Sequence, residues 1–496
     1  MIRVSPPAGA QTEQTGRISS DLSFAHWLQK NKVTRNFGRF EQLRQLPTGG
    51  RGSKYGLHND DMDFNQRADS SKLFQISLDL LETSSEEEEE RRPRGGSRVG
   101  RRPNIDRERT LLGNILYRQY FAEDPIYDHT AFRRRYRVSR AVFDRLFDSM
   151  GSMDTYFVHK KDCTGLNGLS PYQKMTAAMR MLTLGVAADA LDDKIGVAES
   201  TAIVCLDRFC KVVMSTFGDE YLRSPTHDDI ARVLSQSAKR GFPGMLGSID
   251  CSKWEWKNCP TAYHGQYKGK EKVPTVTLEA ICDQSLWIWH AFFGLPGCLN
   301  DVNVVEASPL TQKIARGEYP PPVEYVVNGV RRNKPYWLCD SIYPKWPMFI
   351  DTIREGISRK HKFFATMQEA ARKDIERAFG VLQAMFHIIR EPARFASVRD
   401  MKMVMNTVII LHNMMVEDRC HNECEDGDEM LEGIIVSSTS RPMWEGLVPA
   451  HDASAEAEPG TLAATFKLES LKEEEAEHDL TKRLLVEHLW NHHGDA

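Results

Sequence analysis

Four carboxylates stand where a chain could use them together. Asp250 closes the apolar run MLGSID, Asp340 closes PYWLCD, Asp301 follows the turn LPGCLN, and Glu376 lies in RKDIERAFG. Carboxylates that converge without a cation repel and raise each other's pKa, so their stable role is to hold hard divalent cations through oxygen. Two such ions ~3.5–4 Å apart activate a water or a 3′-hydroxyl and stabilise the leaving oxygen of a phosphodiester. The matched chemistry is phosphoryl transfer on nucleic acid. A lone aspartate at a strand end also serves as a turn or helix cap, and Asp301 is placed to cap the helix that follows it.

The elements that must carry these groups begin at about Phe242, where the hydrophobic period becomes that of strands. MLGSIDC, PTVTLEAIC (274–282) and LWIWHAFFG (286–294) read as three antiparallel strands, the last two divided by the turn Asp283-Gln284-Ser285. A helical segment over Val302 to Pro309 follows, then a fourth strand ending at Asp340, a fifth in KFFA (362–365), and a helix from about Gln368 to Arg390. On that helix Ile375, Phe379, Leu382, Phe386 and Ile389 form a stripe that must face a core, and Glu376 sits one residue, about 100° of rotation, off it. A further helix starts at Ser397, with Asp400 completing a capping box. Three antiparallel strands followed by parallel strands and helices give an α/β fold with a ribonuclease H-like mixed sheet. That order brings Asp250, Asp340 and Glu376 to one sheet edge.

The stretch after Asp250 is basic and aromatic. Lys253, Lys257, Lys268 and Lys270 are candidates for phosphate contact, and Trp254, Trp256, Tyr263 and Tyr267 for stacking beside DNA, with at least one tryptophan expected in the core.

Upstream, residues 110–240 show a helical period throughout. SPYQKMTAAMRMLTLG carries Ser170 as N-cap, Pro171 at the first helical position and Gly185 as stop. A short helix over Ala187 to Asp192, a break at IGVAE and a helix capped by Ser200 make a candidate helix-turn-helix, with Thr201, Arg208 and Lys211 as DNA contacts.

A chain of 496 residues, 41% hydrophobic and 27% charged, should fold into more than one unit. No run reaches the roughly 18–20 apolar residues of a membrane span, and the N-terminus lacks the apolar stretch of a signal peptide, so an intracellular protein without membrane contact is expected. Ten cysteines without regular spacing suit reduced, mostly buried thiols. Cys420, His421 and Cys424 cluster, but no second pair completes a zinc site. The net charge of −4 gives no global case for nucleic acid, yet charge is concentrated locally: Glu86 to Glu90 precede eight arginines in residues 91–109. The expected organisation is a largely disordered acidic then arginine-rich segment (1–109), a helical unit (110–240), the mixed-sheet domain (241–418), a linker (419–465) and an amphipathic helix (466–493) docked on the body.

Several ordered blocks resemble the PIF/Harbinger superfamily of DDE transposases, in its plant transposon-protein branch. They are GFPGMLGSIDCSKWEWKNCPTAYHGQYKGK, LWIWHAFFGLPGCLNDVNVVEASPL, DSIYPKW and RKDIERAFGVLQAMF, with FRRRYRVSRAVFDRLF and FGDEYLRSPT upstream and DLTKRLLVEHLW in the tail. The resemblance implies an integrase-like catalytic core that cuts and joins DNA with Mg²⁺ or Mn²⁺, two ions in all. It also implies nuclear localisation, a homo-oligomer on the terminal repeats and target DNA, and a separate Myb-like DNA-binding partner. Asp250 matches the first acidic position, Asp340 the acidic residue after the fourth strand and Glu376 the glutamate. Asp301 matches the acidic residue after Pro-Gly that is sometimes taken as the second member, and topology favours Asp340 over it. Ser252-Lys253 stands where the family usually has Met-His, a change that also suits an alternative: a domesticated transposase kept as a non-cleaving DNA- or chromatin-binding regulator.

Overall fold

A computed structural model describes residues 105–161, 165–354, 358–422 and 475–493. The segment expected over 1–109 lies outside them up to residue 104, as does the expected linker from 423, with Cys424. The helices are α1 (Arg109–Tyr120), α2 (His129–Tyr136), α3 (Arg140–Met153), α4 (Pro171–Leu184), α5 (Asp192–Ile195), α6 (Glu199–Tyr221), α7 (His227–Lys239), α8 (His264–Tyr267), α9 (Asp301–Ala307), α10 (Pro309–Ala315), α11 (Arg359–Met385), α12 (His387–Arg390), α13 (Val398–Asn422) and α14 (Glu475–His493). The strands are β1 (Met245–Glu255), β2 (Thr275–Cys282), β3 (Ile288–Pro296), β4 (Tyr325–Val327), β5 (Val330–Arg332), β6 (Tyr336–Leu338) and β7 (Phe349–Ile350).

Five strands form one mixed sheet in the order β3-β2-β1-β6-β7, antiparallel across β3-β2-β1 and parallel across β1-β6-β7. The three leading strands are found at the expected places, but the first does not close at Asp250: β1 runs on to Glu255, paired with β2 as far as Thr275, so Asp250 lies inside it. The fifth is not in KFFA: Phe349–Ile350 pairs with β6, and residues 362–365 belong to α11. The helical period wins there because Phe364, Gln368, Ala371 and Ile375 fall on one buried face, and Ser358 caps the helix by accepting from the His361 N–H. The helix therefore starts nine residues before Gln368, at Arg359, and breaks at Phe386 before α12. The short hairpin β4–β5 is not among the expected elements, although Asn328-Gly329 between YVV and VRR is a two-residue hairpin turn signal and both residues have positive φ; its strands are three residues each.

Helices cover both sheet faces. On one face α7, α9 and α10 bury Ile230, Val304, Leu310 and Ile314 against Ile249, Cys251 and Ile281. On the other, α11 and α13 pack Ile375, Leu382, Met401 and Val408 against Trp254, Leu278 and Phe293. That second core runs without interruption into the helical segment, joining Tyr136, Phe143, Met179 and Phe209 to the sheet. Residues 110–240 and the sheet thus share one interior. The C-terminal helix docks as the pattern suggests, burying Leu485, Val486 and Leu489 against Phe364, Leu338 and Ile350, while Leu480 stays exposed.

In the helical segment, α4 is capped by Ser170 in a full capping box with Gln173, opened by Pro171 and stopped by Gly185. Ser200 does not cap α6. Ala198 holds that position without a side-chain bond, and Ser200 lies inside the helix. Nor is α6 a freely presented helix: Ala202, Cys205, Leu206, Phe209, Cys210, Val213 and Phe217 are buried along it.

Candidate active site

The site begins with a register. β1 and β6 run parallel, Ser248 beside Leu338, after a bulge between Met245 and Gly247. Gly247 has φ 145°, and a Cβ there would stand 2.3 Å from the Cys282 carbonyl oxygen, so only glycine lets the strand pass. Two residues beyond the Ser248–Leu338 pair come Asp250, still within β1, and Asp340, past the end of β6. Side chains repeat every second residue along a strand, so Asp250 shares the face of Ser248. That face is the one α11 crosses: the Ser248 hydroxyl donates to the Ala371 carbonyl at 3.2 Å, and Leu338 packs with Ala371.

From α11 comes a residue with no counterpart among the sequence candidates. Arg372 directs one guanidinium nitrogen to Asp250 Oδ2 at 3.2 Å and the other to Glu376 Oε1 at 3.0 Å. It tethers a strand carboxylate to a helix carboxylate. Burial pulls the guanidinium pKa down, but the charges of Asp250, Glu376 and Asp340 outweigh it and leave the value raised. Asp250 keeps 14% of its side-chain surface. Desolvation pushes it up to about 7; Arg372 and the Cys251 N–H oppose the rise, while Asp301 and Glu376 add to it. Glu376, 42% exposed, stands at the rim as its position off the apolar stripe suggested. Asp340 Oδ1 accepts from the Ser341 N–H at 2.7 Å.

Asp301 reaches the same neighbourhood from the opposite side. It is the first residue of α9, but the cap is Asn300, whose side chain accepts from the Asn303 N–H at 2.9 Å. The capping reading of Asp301 therefore falls to its neighbour, and its charge acts on Asp250 and Cys251. A second buried group holds α9 to the sheet. Glu279, fully buried on β2, accepts from the Ser308 hydroxyl at 2.6 Å and meets His290 Nε2 at 2.9 Å. Ser308 joins α9 to α10 and caps the latter.

Four carboxylates with no thiol or imidazole among them are the donor chemistry of Mg²⁺ or Mn²⁺. The raised Asp250 marks a carboxylate whose burial outweighs the help of Arg372 and the Cys251 N–H. Among the described residues, no three His, Cys, Asp or Glu side chains are gathered closely enough to hold an ion. The set fits hard cations by chemistry, with a guanidinium lying between two of its members.

The basic and aromatic stretch behaves differently from its reading. Trp254 and Trp256 are buried, and their indole N–H groups donate to the carbonyls of Glu391 and Phe395, both at 2.9 Å. Tyr267 is buried against Trp256. None of the three offers a face to a base; only Tyr263 is partly open. Lys253 pairs with Glu271 at 3.1 Å, while Lys257, Lys268 and Lys270 are exposed. On α6, Thr201 is half-buried, Arg208 is bound to Asp154 at 2.8 Å and Lys211 to Asp207 at 3.0 Å.

Residues 219–423 match the family model described as plant transposon protein, which takes in all four carboxylates, and residues 114–151 match a domain of unknown function. The chain is 21% identical over 294 residues to "Protein ALP1-like" of Arabidopsis thaliana, covering 58% of this chain and 71% of that protein. No solved structure matches it. No described helix is long and apolar enough to cross a membrane.

Proposed function

For a chain that belongs to the PIF/Harbinger transposases, in their plant transposon-protein branch, we propose a DDE-type DNA nuclease and transposase with a ribonuclease H-like core, acting in the nucleus. The observation that carries the reading is Arg372, which ties Asp250 on β1 to Glu376 on α11, while the charge of Asp340, just past the end of the parallel strand β6, also acts on that guanidinium. The strand order, with three antiparallel strands leading and parallel strands following, supports the fold reading.

Asp250, Asp340 and Glu376 would hold the divalent cations, with Asp301 the further ligand candidate. Bound there, Mg²⁺ or Mn²⁺ supplies an acidified water or 3′-hydroxyl and charge neutralisation at the leaving oxygen. The chain's own part is positional. The bulge at Gly247 sets the strand register, the Glu279–Ser308–His290 bonds hold the end of α9, where α10 begins, and the partly buried setting of Asp250 strengthens any charge interaction made there. Lys257, Lys268 and Lys270, exposed on the segment after β1, are the phosphate contacts this reading favours.

One observation favours a second reading, a non-cleaving DNA- or chromatin-binding protein: among the described residues no three candidate ligands are gathered for an ion, and Arg372 already neutralises part of their charge. Nicking of supercoiled plasmid by the purified chain in Mn²⁺ separates the two. Activity lost with EDTA, with Asp250→Asn and with Glu376→Gln supports the nuclease. Inactivity of folded protein on DNA that it binds supports the regulator.

A further inference from the structure

Arg372 sits one helical turn before Glu376 on α11 with 18% of its side chain exposed, and its two terminal nitrogens bind carboxylates from two different elements. A planar guanidinium suits that double contact, which an ammonium, a single point charge, does not reproduce. The contact uses Asp250 Oδ2 and Glu376 Oε1, while Asp250 Oδ1 is taken by the Cys251 N–H at 2.8 Å. The guanidinium thus takes the Asp250 oxygen that the backbone leaves over.

Resting on the reading of this group as a metal site, we propose that Arg372 is a positioning residue: an internal counter-ion that holds Asp250 and Glu376 together in the metal-free protein and withdraws when divalent cations enter. Three considerations support it. Carboxylates brought together beneath α11 without a cation would repel strongly, and one guanidinium charge offsets only part of that. A guanidinium and a divalent ion engaging the same oxygens would repel each other where solvent screens poorly. The exit is short, because Glu376 stands at the exposed rim one turn further along the same helix. Arg372 thereby keeps the ligands near their working places at the cost of competing with the ion.

The test is Mn²⁺ binding by titration calorimetry on the full chain and on Arg372→Gln, with thermal melts with and without Mn²⁺. Arg372→Gln is expected to melt lower than wild type without metal, to bind Mn²⁺ about tenfold more tightly or better, since charge-assisted bonds no longer have to break, and to gain a larger rise in Tm on Mn²⁺ addition. Arg372→Lys, which retains the charge without the fork, is expected to fall between, and it serves alone if the glutamine variant does not fold. A Kd within twofold of wild type, or a weaker one, overturns the proposal: the guanidinium then stays beside the ion. Mn²⁺ binding by the variant alone supports it. Absence of binding in both proteins overturns the metal site itself, and this role with it.

Discussion

The raised Asp250 makes stability depend on pH in a direction opposite to that of an ordinary salt-bridged aspartate. Its folded-state value of about 7 lies above the ordinary 3.8, so between those values the folded protein holds a proton that the unfolded chain has lost. The stability due to this proton is complete below pH 3.8 and disappears as pH rises through about 7. The distance between those two values, at ~1.4 kcal/mol for each pH unit, puts the whole effect on the order of 4 kcal/mol. Asp250→Asn removes the titration and keeps the shape. In metal-free buffer the variant should therefore gain on wild type as pH is raised from 4 to 8, by an amount approaching that figure, and the advantage should shrink toward pH 3. Urea denaturation of both proteins at each pH reads the difference directly. A gap that stays constant from pH 4 to 8 would show that Asp250 is ionised throughout, and that Arg372 rather than desolvation governs it. The same titration sets metal affinity, because the ligand must be ionised: Mn²⁺ binding to the wild type should weaken by about tenfold per pH unit below 7 and be level above it.

Asp374, buried between Arg240 and Arg377, should cost about 3–5 kcal/mol of stability when replaced by Ala, since two partly buried guanidinium groups lose their carboxylate; chemical denaturation measures it. Trp254→Ala should cost ~3–5 kcal/mol in the same assay, and Trp254→Phe, which keeps most of the apolar bulk, should leave DNA affinity within twofold because the ring is buried. Leu489→Ala on α14 should destabilise by about 2–5 kcal/mol, as judged by the same denaturation, because that helix closes the core around Phe364 and Ile350. Lys268→Ala combined with Lys270→Ala should lower DNA affinity and reduce the salt slope by about two, measured by fluorescence anisotropy across ionic strengths, whereas Arg208→Ala should change neither, its guanidinium being held by Asp154.

The carboxylates were legible in the sequence as residues that follow apolar runs, although Asp250 does not end its strand: β1 continues through Glu255, and Asp340 lies two residues past the end of β6. The alternating patterns around Asp250 and the turn at Asp283 fixed three strands within a few residues of their observed limits. What the sequence did not disclose depends on contacts distant along the chain. Trp254 and Trp256 lie in a lysine-bearing stretch that reads as a DNA surface, yet their indoles are accepted by backbone carbonyls about 137–139 residues away. KFFA has the composition of a strand, but the buried side of α11 continues through Phe364 and absorbs it. Arg372 had a visible signal in its spacing of four from Glu376, ordinarily the mark of a solvated helix pair worth a few tenths of a kcal/mol. Its other bond, to Asp250 across 122 residues of chain, is what lifts it out of that class. A helix ion pair becomes part of a site only when a third charge, delivered by the sheet, takes the other half of the guanidinium. The register that delivers Asp250 to Arg372 is set where β1 bulges at Gly247, so a one-residue slip there would turn Asp250 to the other face of the sheet and undo the tether.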